Sequence, residues 1–270
     1  MSEHLSKLAD ELNEAFAGAD LTGRLRLLRQ AASGRIVFTT SLGIEDQALT
    51  HAIRSADLDM EIVTLDTGRL FPETYDLWAK TEEKYGFRLK GFFPRNEAVE
   101  ALVADQGVNG FYYGLDMRKA CCGVRKIEPL ARALEGAEIW IAGLRADQSE
   151  HRANARFVEF DEARGLIKAS PLLDFSREQV ADYCAKNDVP INVLHGKGFV
   201  SIGCAPCTRA ILPGEPERAG RWWWEGEAKK ECGLHVGDDG SLNRAIAISS
   251  EVDAGSREEN ASKKSEMANS

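Results

Sequence analysis

The sequence predicts an α/β protein built on a mostly parallel, twisted sheet with helices on both faces. Three observations carry this prediction. Short, largely apolar runs at 36–40, 61–65 and 138–142 have the composition of strands buried on both sides. Helix-length stretches separate them, so strand and helix alternate along the chain. The runs end in polar or glycine-bearing turns, Ser41-Leu42-Gly43, Asp66-Thr67-Gly68-Arg69 and Gly143-Leu144-Arg145, and strand ends of such sheets are where functional groups collect.

Taken in order, Leu5, Leu8, Leu12 and Phe16 recur at helical spacing, and Leu21, Leu25 and Leu28 resume it after Gly18. The strand at 36–40 runs into Ser41-Leu42-Gly43-Ile44-Glu45-Asp46 and then a helical stretch at 47–53. Strand, tight turn and helix make a natural anion seat, although any α/β protein has several such turns. His51, within that helix, reads as a packing or surface residue. After the strand at 61–65, Pro72 opens a helix where its missing N–H costs least. A third strand is expected around Phe87-Arg88-Leu89, and a helix around 97–104 follows Pro94. Beyond the strand at 138–142 the pattern changes. Phe157-Val158-Glu159-Phe160 and Leu166-Ile167-Lys168-Ala169 flank a polar turn with Gly165 and read as a hairpin. Ser176 with Gln179 forms a capping-box signal for a helix holding Tyr183 and Cys184, the latter a buried core thiol. Trp222-Trp223-Trp224 is expected to pack over the domain. From about Ser249 the composition predicts a disordered tail, so residues 1–248 are read as one domain, whose C-terminal segment around 225–240 holds Cys232, and 249–270 as tail.

At 270 residues, with 43% hydrophobic and 29% charged side chains, the chain is long enough to bury a core unaided. No apolar run approaches a membrane span and no signal region opens the sequence. A net charge of −9 argues against a nucleic-acid binder that relies on overall basicity. Local charge is another matter: Arg118, Lys119, Arg125 and Lys126 cluster in one stretch, and Arg209, Arg218 and Arg221 in another, so a positive pocket in an acidic protein is expected.

The cysteines give these basic stretches their meaning. Cys121 and Cys122 are adjacent, Cys204 and Cys207 form C-x-x-C, and together they offer four soft thiolates suited to an iron-sulfur cluster or a tetrahedral zinc. Structural zinc usually draws its ligand pairs from a short span, whereas about eighty residues separate these pairs. Structural disulfides fit poorly with a chain of this size and start. A helix running from the cysteine pair through Ile127 to Leu134 would set Cys122 and Lys126 one turn apart, bringing an ammonium between the thiolates and an anionic ligand. Cys232, in Lys229-Lys230-Glu231-Cys232-Gly233-Leu234-His235, is left without a metal to bind. Its basic neighbours favour the thiolate and hence a nucleophile on a segment able to close over a ligand, while an inert exposed cysteine fits the local features equally.

From about Val37 to Leu234 the chain resembles the sulfonucleotide reductases, specifically the assimilatory adenylyl-sulfate (APS) reductases that carry an iron-sulfur cluster. The resemblance rests on Cys121-Cys122-Gly123-Val124-Arg125-Lys126, Gly203-Cys204-Ala205-Pro206-Cys207, Gly220-Arg221-Trp222-Trp223-Trp224 and Glu231-Cys232-Gly233-Leu234-His235, in that order. Ser41-Leu42-Gly43, Leu65-Asp66-Thr67-Gly68-Arg69 and Asp147-Gln148-Ser149 agree with it. It implies an adenine-nucleotide alpha-hydrolase-like fold related to the ATP pyrophosphatases. It implies a [4Fe-4S] cluster on Cys121, Cys122, Cys204 and Cys207, Cys232 as nucleophile, and thioredoxin or a glutaredoxin-like dithiol as reductant. By motif position, Ser41, Leu65, Asp66, Gly68 and Arg69 would line the nucleotide site. Lys126, Arg152, Arg218 and Arg221 would meet the phosphosulfate, with His235 also in the substrate-binding set. The implied setting is cytoplasmic sulfate assimilation and cysteine biosynthesis, with a homo-oligomer left open.

The nearest rival is reduction of the 3′-phosphorylated nucleotide (PAPS), which needs the same nucleophile. Most members acting on PAPS lack the cluster cysteines, which favours APS. A cluster-bearing tRNA sulfur-insertion enzyme would need a loop of the type SGGxDS, from which Ser41-Leu42-Gly43-Ile44-Glu45-Asp46 departs. A non-catalytic redox or nucleotide sensor would leave the Cys232 motif without purpose.

Overall fold

The computed structural model describes residues 2–149 and 152–226. The expected tail, Cys232 and His235 lie outside the described residues. Two amphipathic helices open the chain, α1 (Ser2–Phe16) and α2 (Leu21–Ala31), burying Leu12 and Phe16 from the first and Leu21, Leu25 and Leu28 from the second. Asp20 caps α2 by accepting from the Gly23 amide at 2.7 Å, satisfying one of the amides that a helix start leaves unbonded.

Among the described residues six strands form one sheet: β1 (Arg35–Thr40), β2 (Glu61–Leu65), β3 (Lys90–Phe92), β4 (Ala137–Ile141), β5 (Val158–Asp161) and β6 (Leu166–Ala169), in the order β3-β2-β1-β4-β6-β5. Every neighbouring pair is parallel except β5 and β6, which form the expected hairpin. Gly165 stands in its turn at φ 67°, a conformation that a Cβ would strain. Side chains of successive strand residues leave opposite faces, and here both faces are apolar. Ile36, Phe38, Ile139 and Ile141 pack with α1, α2 and α3 (Ile44–Ser55) on one side. Val37, Val63 and Trp140 pack on the other with Leu130 and Leu134 of α7 (Glu128–Leu134). That double burial explains why these strands read as continuous apolar runs.

α4 (Pro72–Tyr85) begins at the expected proline and ends at Gly86 in the left-handed conformation, and α5 (Asn96–Gln106) follows β3. α8 (Arg177–Lys186) carries the expected capping box: Ser176 Oγ accepts from the Gln179 amide while Gln179 Oε1 accepts from the Ser176 amide. Cys184 on α8 is 2% exposed, and burial pushes its thiol up to about 12. Among the described residues no helix is long and apolar enough to cross a membrane.

Two expectations need correction. The third strand lies at Lys90–Phe92, not 87–89, because the Leu89 amide is taken by Glu82 Oε1 and pairing with β2 starts only where Lys90 faces Val63. The cysteine pair closes a helix and does not open one. α6 (Leu115–Cys122) precedes it, and a π-helical turn at Gly123–Ile127 joins α6 to α7, with the Glu128 amide reaching back five residues to the Gly123 carbonyl. Pro129 lacks the amide that would continue an α-helical ladder here, and the wider turn absorbs the loss. The Cys122-to-Lys126 spacing is therefore not one α-helical turn. π-turns of this kind concentrate at functional sites.

Candidate active site

A cleft opens at the carboxyl ends of β1, β2 and β4, where Thr40, Thr64 and Ala142 contribute to its floor. The segment after β1 brings Ser41, Gly43, Glu45 and Asp46 to it; the segment after β4 brings Gln148 and Arg152; and the chain near the end of the described residues brings Glu217, Arg218, Arg221 and Trp222. Lys126 reaches in from the π-helical turn and Leu65 from β2. Of the substrate-binding residues expected from sequence, Ser41, Leu65, Lys126, Arg152, Arg218 and Arg221 thus line one cavity.

The anion seat expected at the Ser41 turn is taken by the protein's own carboxylate. Asp46 Oδ2 accepts from the Ser41 amide at 2.5 Å and from Ser41 Oγ at 2.7 Å. Asp46 is 6% exposed, and burial pushes its carboxyl up to about 7 against the opposing pull of the Ser41 hydrogen bonds. A Cβ on Gly143 would stand 2.0 Å from Asp46 Oδ1, so this carboxylate needs a glycine opposite. Leu42 holds φ 59°, a strained value for leucine, and is fixed by its burial and by its amide bonding Thr40 Oγ1 at 3.0 Å.

Asp66, Gly68 and Arg69 are not among the residues that line the cleft. Asp66 accepts from the Gly68 amide and from Tyr75 Oη, both at 2.8 Å, closing its own turn. Gly68, at φ 69°, supplies the left-handed residue that the turn requires. Arg69 points to the loop after α5, donating to the Val108 carbonyl and to Asn109 Oδ1 and standing 5.3 Å from the Phe111 ring centre. These residues organise the wall between cleft and cysteines.

Thr67 Oγ1 lies 3.2 Å from Cys204 Sγ, and the Ala205 amide donates to the Arg69 carbonyl at 2.7 Å, so the C-x-x-C turn is docked on the loop after β2. Cys207 packs with Phe111 and Trp222, and Cys121, Cys204 and Trp224 lie against that cluster. Burial pushes the Cys207 thiol up to about 12, with Cys204 and Cys121 pushing the same way and Arg221 and Lys126 opposing. Cys121 is likewise raised by burial, against Arg125. Three sulfurs gathered in one cluster, with the charges of Arg69 and Arg125 acting on Cys121 and those of Arg221 and Lys126 on Cys207, fit an acceptor of several thiolates. Cys122 is half-buried on the same helix end. Among the described residues no group of three or more His, Cys, Asp or Glu side chains is arranged to hold a single metal ion.

The tryptophan run only partly packs inward. Trp222 is 2% exposed and Trp224 half-buried, but Trp223 is 39% exposed. Trp222, at φ 42°, stacks between cations, with the guanidinium of Arg118 4.5 Å and that of Arg221 4.7 Å from its ring. Arg118 also makes a buried bidentate pair with Glu225, at 2.6 and 2.9 Å, tying the end of the described chain to the helix that carries the cysteines. His195 was not foreseen. It lines the cleft with Nδ1 2.8 Å from the Phe199 carbonyl, and its buried Nε2 has no hydrogen-bond partner. Burial lowers its pKa, so the neutral ring presents an acceptor. No spacing or motif in the Asn192–Lys197 stretch would have singled it out.

Comparison with known proteins identifies relatives of this chain. The phosphoadenosine phosphosulfate reductase domain family profile matches residues 35–210. The chain is 54% identical over 240 residues to the adenosine 5′-phosphosulfate reductase of Sinorhizobium fredii (strain USDA 257), covering 89% of this chain and 95% of that one. It is 52% identical over 200 residues to the protein of the same name from Allochromatium vinosum, covering 74% and 78%. The crystal structure of phosphoadenylyl-sulfate (PAPS) reductase from Candida auris in complex with phosphate superimposes with a TM-score of 0.64 at 25% identity, over 74% of this chain and 96% of that one.

Proposed function

Since the chain belongs to the phosphoadenosine phosphosulfate reductase domain family, we propose that it reduces adenylyl sulfate (APS) to sulfite and AMP with a thioredoxin-type dithiol as electron donor. The observation that carries the reading is the place of Lys126: it lines the cleft from the π-helical turn that directly follows Cys121 and Cys122, so this cation joins the nucleotide side to the cysteine side. The choice of APS over PAPS is supported by the high identity to relatives named for the former.

In this reading Cys121, Cys122, Cys204 and Cys207 hold a [4Fe-4S] cluster. Its contribution is electrostatic and structural, since both electrons of the reaction come from thiols. Arg152, Arg218, Arg221 and Lys126 bind the phosphosulfate and neutralise the charge that grows on the bridging oxygen as the phosphate leaves. The Cys232 thiolate attacks the sulfate sulfur; the S–O bond to phosphate breaks, AMP departs with the electron pair, and S-sulfocysteine remains. One thiolate of the dithiol then attacks Cys232 Sγ, expelling sulfite and forming a mixed disulfide. The second thiol of the dithiol resolves it, leaving an oxidised dithiol and restoring Cys232. Sulfur has gained two electrons and the dithiol has lost two. Ser41 and Leu65 contact the nucleoside, with Asp66, Gly68 and Arg69 shaping the wall behind, and His235 completes the substrate contacts.

The test is a sulfite assay of purified protein with APS or PAPS, thioredoxin and its reducing system. Sulfite from APS is expected; a strong preference for PAPS would overturn the substrate assignment. Anaerobically purified protein should be brown and contain iron and acid-labile sulfide, whereas stoichiometric zinc with full activity would overturn the cluster.

A further inference from the structure

Arg145 is fully buried, at 0% exposure, yet it is a guanidinium behind the wall of an anion cleft and makes no contact with the cavity. Its donors go to three carboxylates. Nε bonds Glu45 at 2.9 Å, Nη2 bonds both oxygens of Glu217 at 2.8 and 2.7 Å, and Nη1 bonds Asp147. Its backbone amide donates to Gln148 Oε1 at 3.2 Å, and that same oxygen accepts from Arg152 Nη1 at 2.5 Å, while Gln148 Nε2 donates to Glu45 at 3.2 Å. Burial alone would lower the Arg145 pKa, but Glu45 and Glu217 override it, so the charge stays. Burial raises the Glu217 pKa while Arg145 opposes, and Arg177, 3.6 Å away, helps.

We propose that Arg145 is a positioning residue: from behind the wall it fixes the two segments that carry Arg152 and the Arg218 to Arg221 stretch, aiming their charge at the phosphate-bearing end of a nucleotide. The proposal rests on the nucleotide reading given above. The connections are specific. The arm through Gln148 ends on Arg152; the arm through Glu217 ends on the residue covalently next to Arg218. Glu45 and Glu217 themselves line the cleft, where bare carboxylates would repel an anion, and their engagement by Arg145 removes that repulsion. Lysine would keep the charge but could not reach three carboxylates with a planar fork.

The experiment compares binding of AMP and adenosine by calorimetry to the wild-type holoprotein, Arg145→Lys and Gln148→Ala, with folding monitored by circular dichroism and cluster content by absorbance. The ratio of the two affinities isolates the phosphate contribution, which a merely structural defect would not single out. Wild-type protein is expected to prefer AMP. Arg145→Lys should reduce AMP affinity by roughly tenfold or more with a much smaller effect on adenosine, and Gln148→Ala, which removes the arm to Arg152 together with the Gln148 bond to Glu45 but leaves the Arg145 arm to Glu217 in place, should move the ratio the same way by less. If Arg145→Lys does not fold, the Gln148→Ala ratio decides alone. Wild-type protein that binds AMP no better than adenosine would overturn the nucleotide reading and the proposal with it. A wild-type preference for AMP that survives in the folded variants, or an equal loss for both ligands, would overturn the role of Arg145 alone.

Discussion

Gly203 lies against the guanidinium of Arg221 so closely that a Cβ at position 203 would stand 2.2 Å from Nη2 and 2.5 Å from Cζ. What the glycine provides here is room for the guanidinium and not a special backbone conformation, since its φ falls outside the left-handed region. Arg221 in turn faces three ways: its Nη1 donates to the Ile202 carbonyl at 3.3 Å, its plane stacks on Trp222, and its charge acts on Cys207. Its Nε is buried without a hydrogen-bond partner, as expected of a donor that a ligand anion would satisfy. Gly203→Ala should push this guanidinium aside and weaken AMP binding by about tenfold, while Arg221→Lys, which keeps charge but loses the fork, should act in the same direction. Calorimetric titration with AMP checks both, and unchanged affinity in the alanine variant would show that Arg221 does not meet the phosphate.

Lys126, like Arg221, is a cation shared by cleft and cysteines, and its removal should separate cluster content from catalysis. In Lys126→Ala the four thiols and their remaining basic neighbours Arg69, Arg125 and Arg221 are untouched, so iron and sulfide content should hold near wild type. Sulfite production should fall by about two orders of magnitude, the scale seen when one preorganised donor to a developing charge is deleted. Parallel iron analysis and sulfite assays make the comparison. Loss of both in step would reduce Lys126 to a structural role.

Cys232→Ser replaces a thiolate with a hydroxyl that is un-ionised at neutral pH. AMP binding and iron content should persist and sulfite formation should vanish. Native protein mixed with APS but no dithiol should gain one sulfonate on the peptide holding Cys232, which reduced thioredoxin then removes. Mass spectrometry of the digested protein reads both steps, and a sulfonate on any other cysteine would move the nucleophile elsewhere.

The sheet was legible because its central strands are buried on both faces and therefore continuously apolar, as Ile36, Val37 and Phe38 illustrate. β3 was misplaced because it is a three-residue edge strand with Gly91 at its centre, while the apolar Leu89 beside it is drawn into the core by other bonds. The residues that line the cleft were readable where charge and motif coincide, as at Lys126, Arg218 and Arg221. Hydrogen bonding across the fold was not. The bonds of Asp66 to Gly68 and of Asp46 to Ser41 close within their own turns, but nothing local announces that Arg145 joins residues about seventy to a hundred positions away. Such pairings depend on which segments the sheet order brings together, and single-sequence periodicity holds no record of that.

Asp46 gives a pH dependence whose sign follows from its burial. In the unfolded chain its carboxyl ionises near the usual value of about 4. In the folded protein, burial, only partly offset by Ser41 and reinforced by the neighbouring Glu45, raises it to about 7. Between those values the folded state holds the extra proton, so this residue makes stability fall as pH rises from about 4 to about 7, and its full penalty is present above that. About three units of difference correspond to a penalty on the order of 4 kcal/mol at pH 8. In Asp46→Asn the side-chain amide oxygen would still accept from the Ser41 amide and hydroxyl while carrying no charge. This variant should therefore have stability little changed at pH 5 and raised by up to a few kcal/mol at pH 8, flattening the difference between the two. Urea unfolding of both proteins at each pH measures this, and equal destabilisation at pH 5 and pH 8 would show that the carboxylate is retained for its bonds and carries no buried-charge penalty.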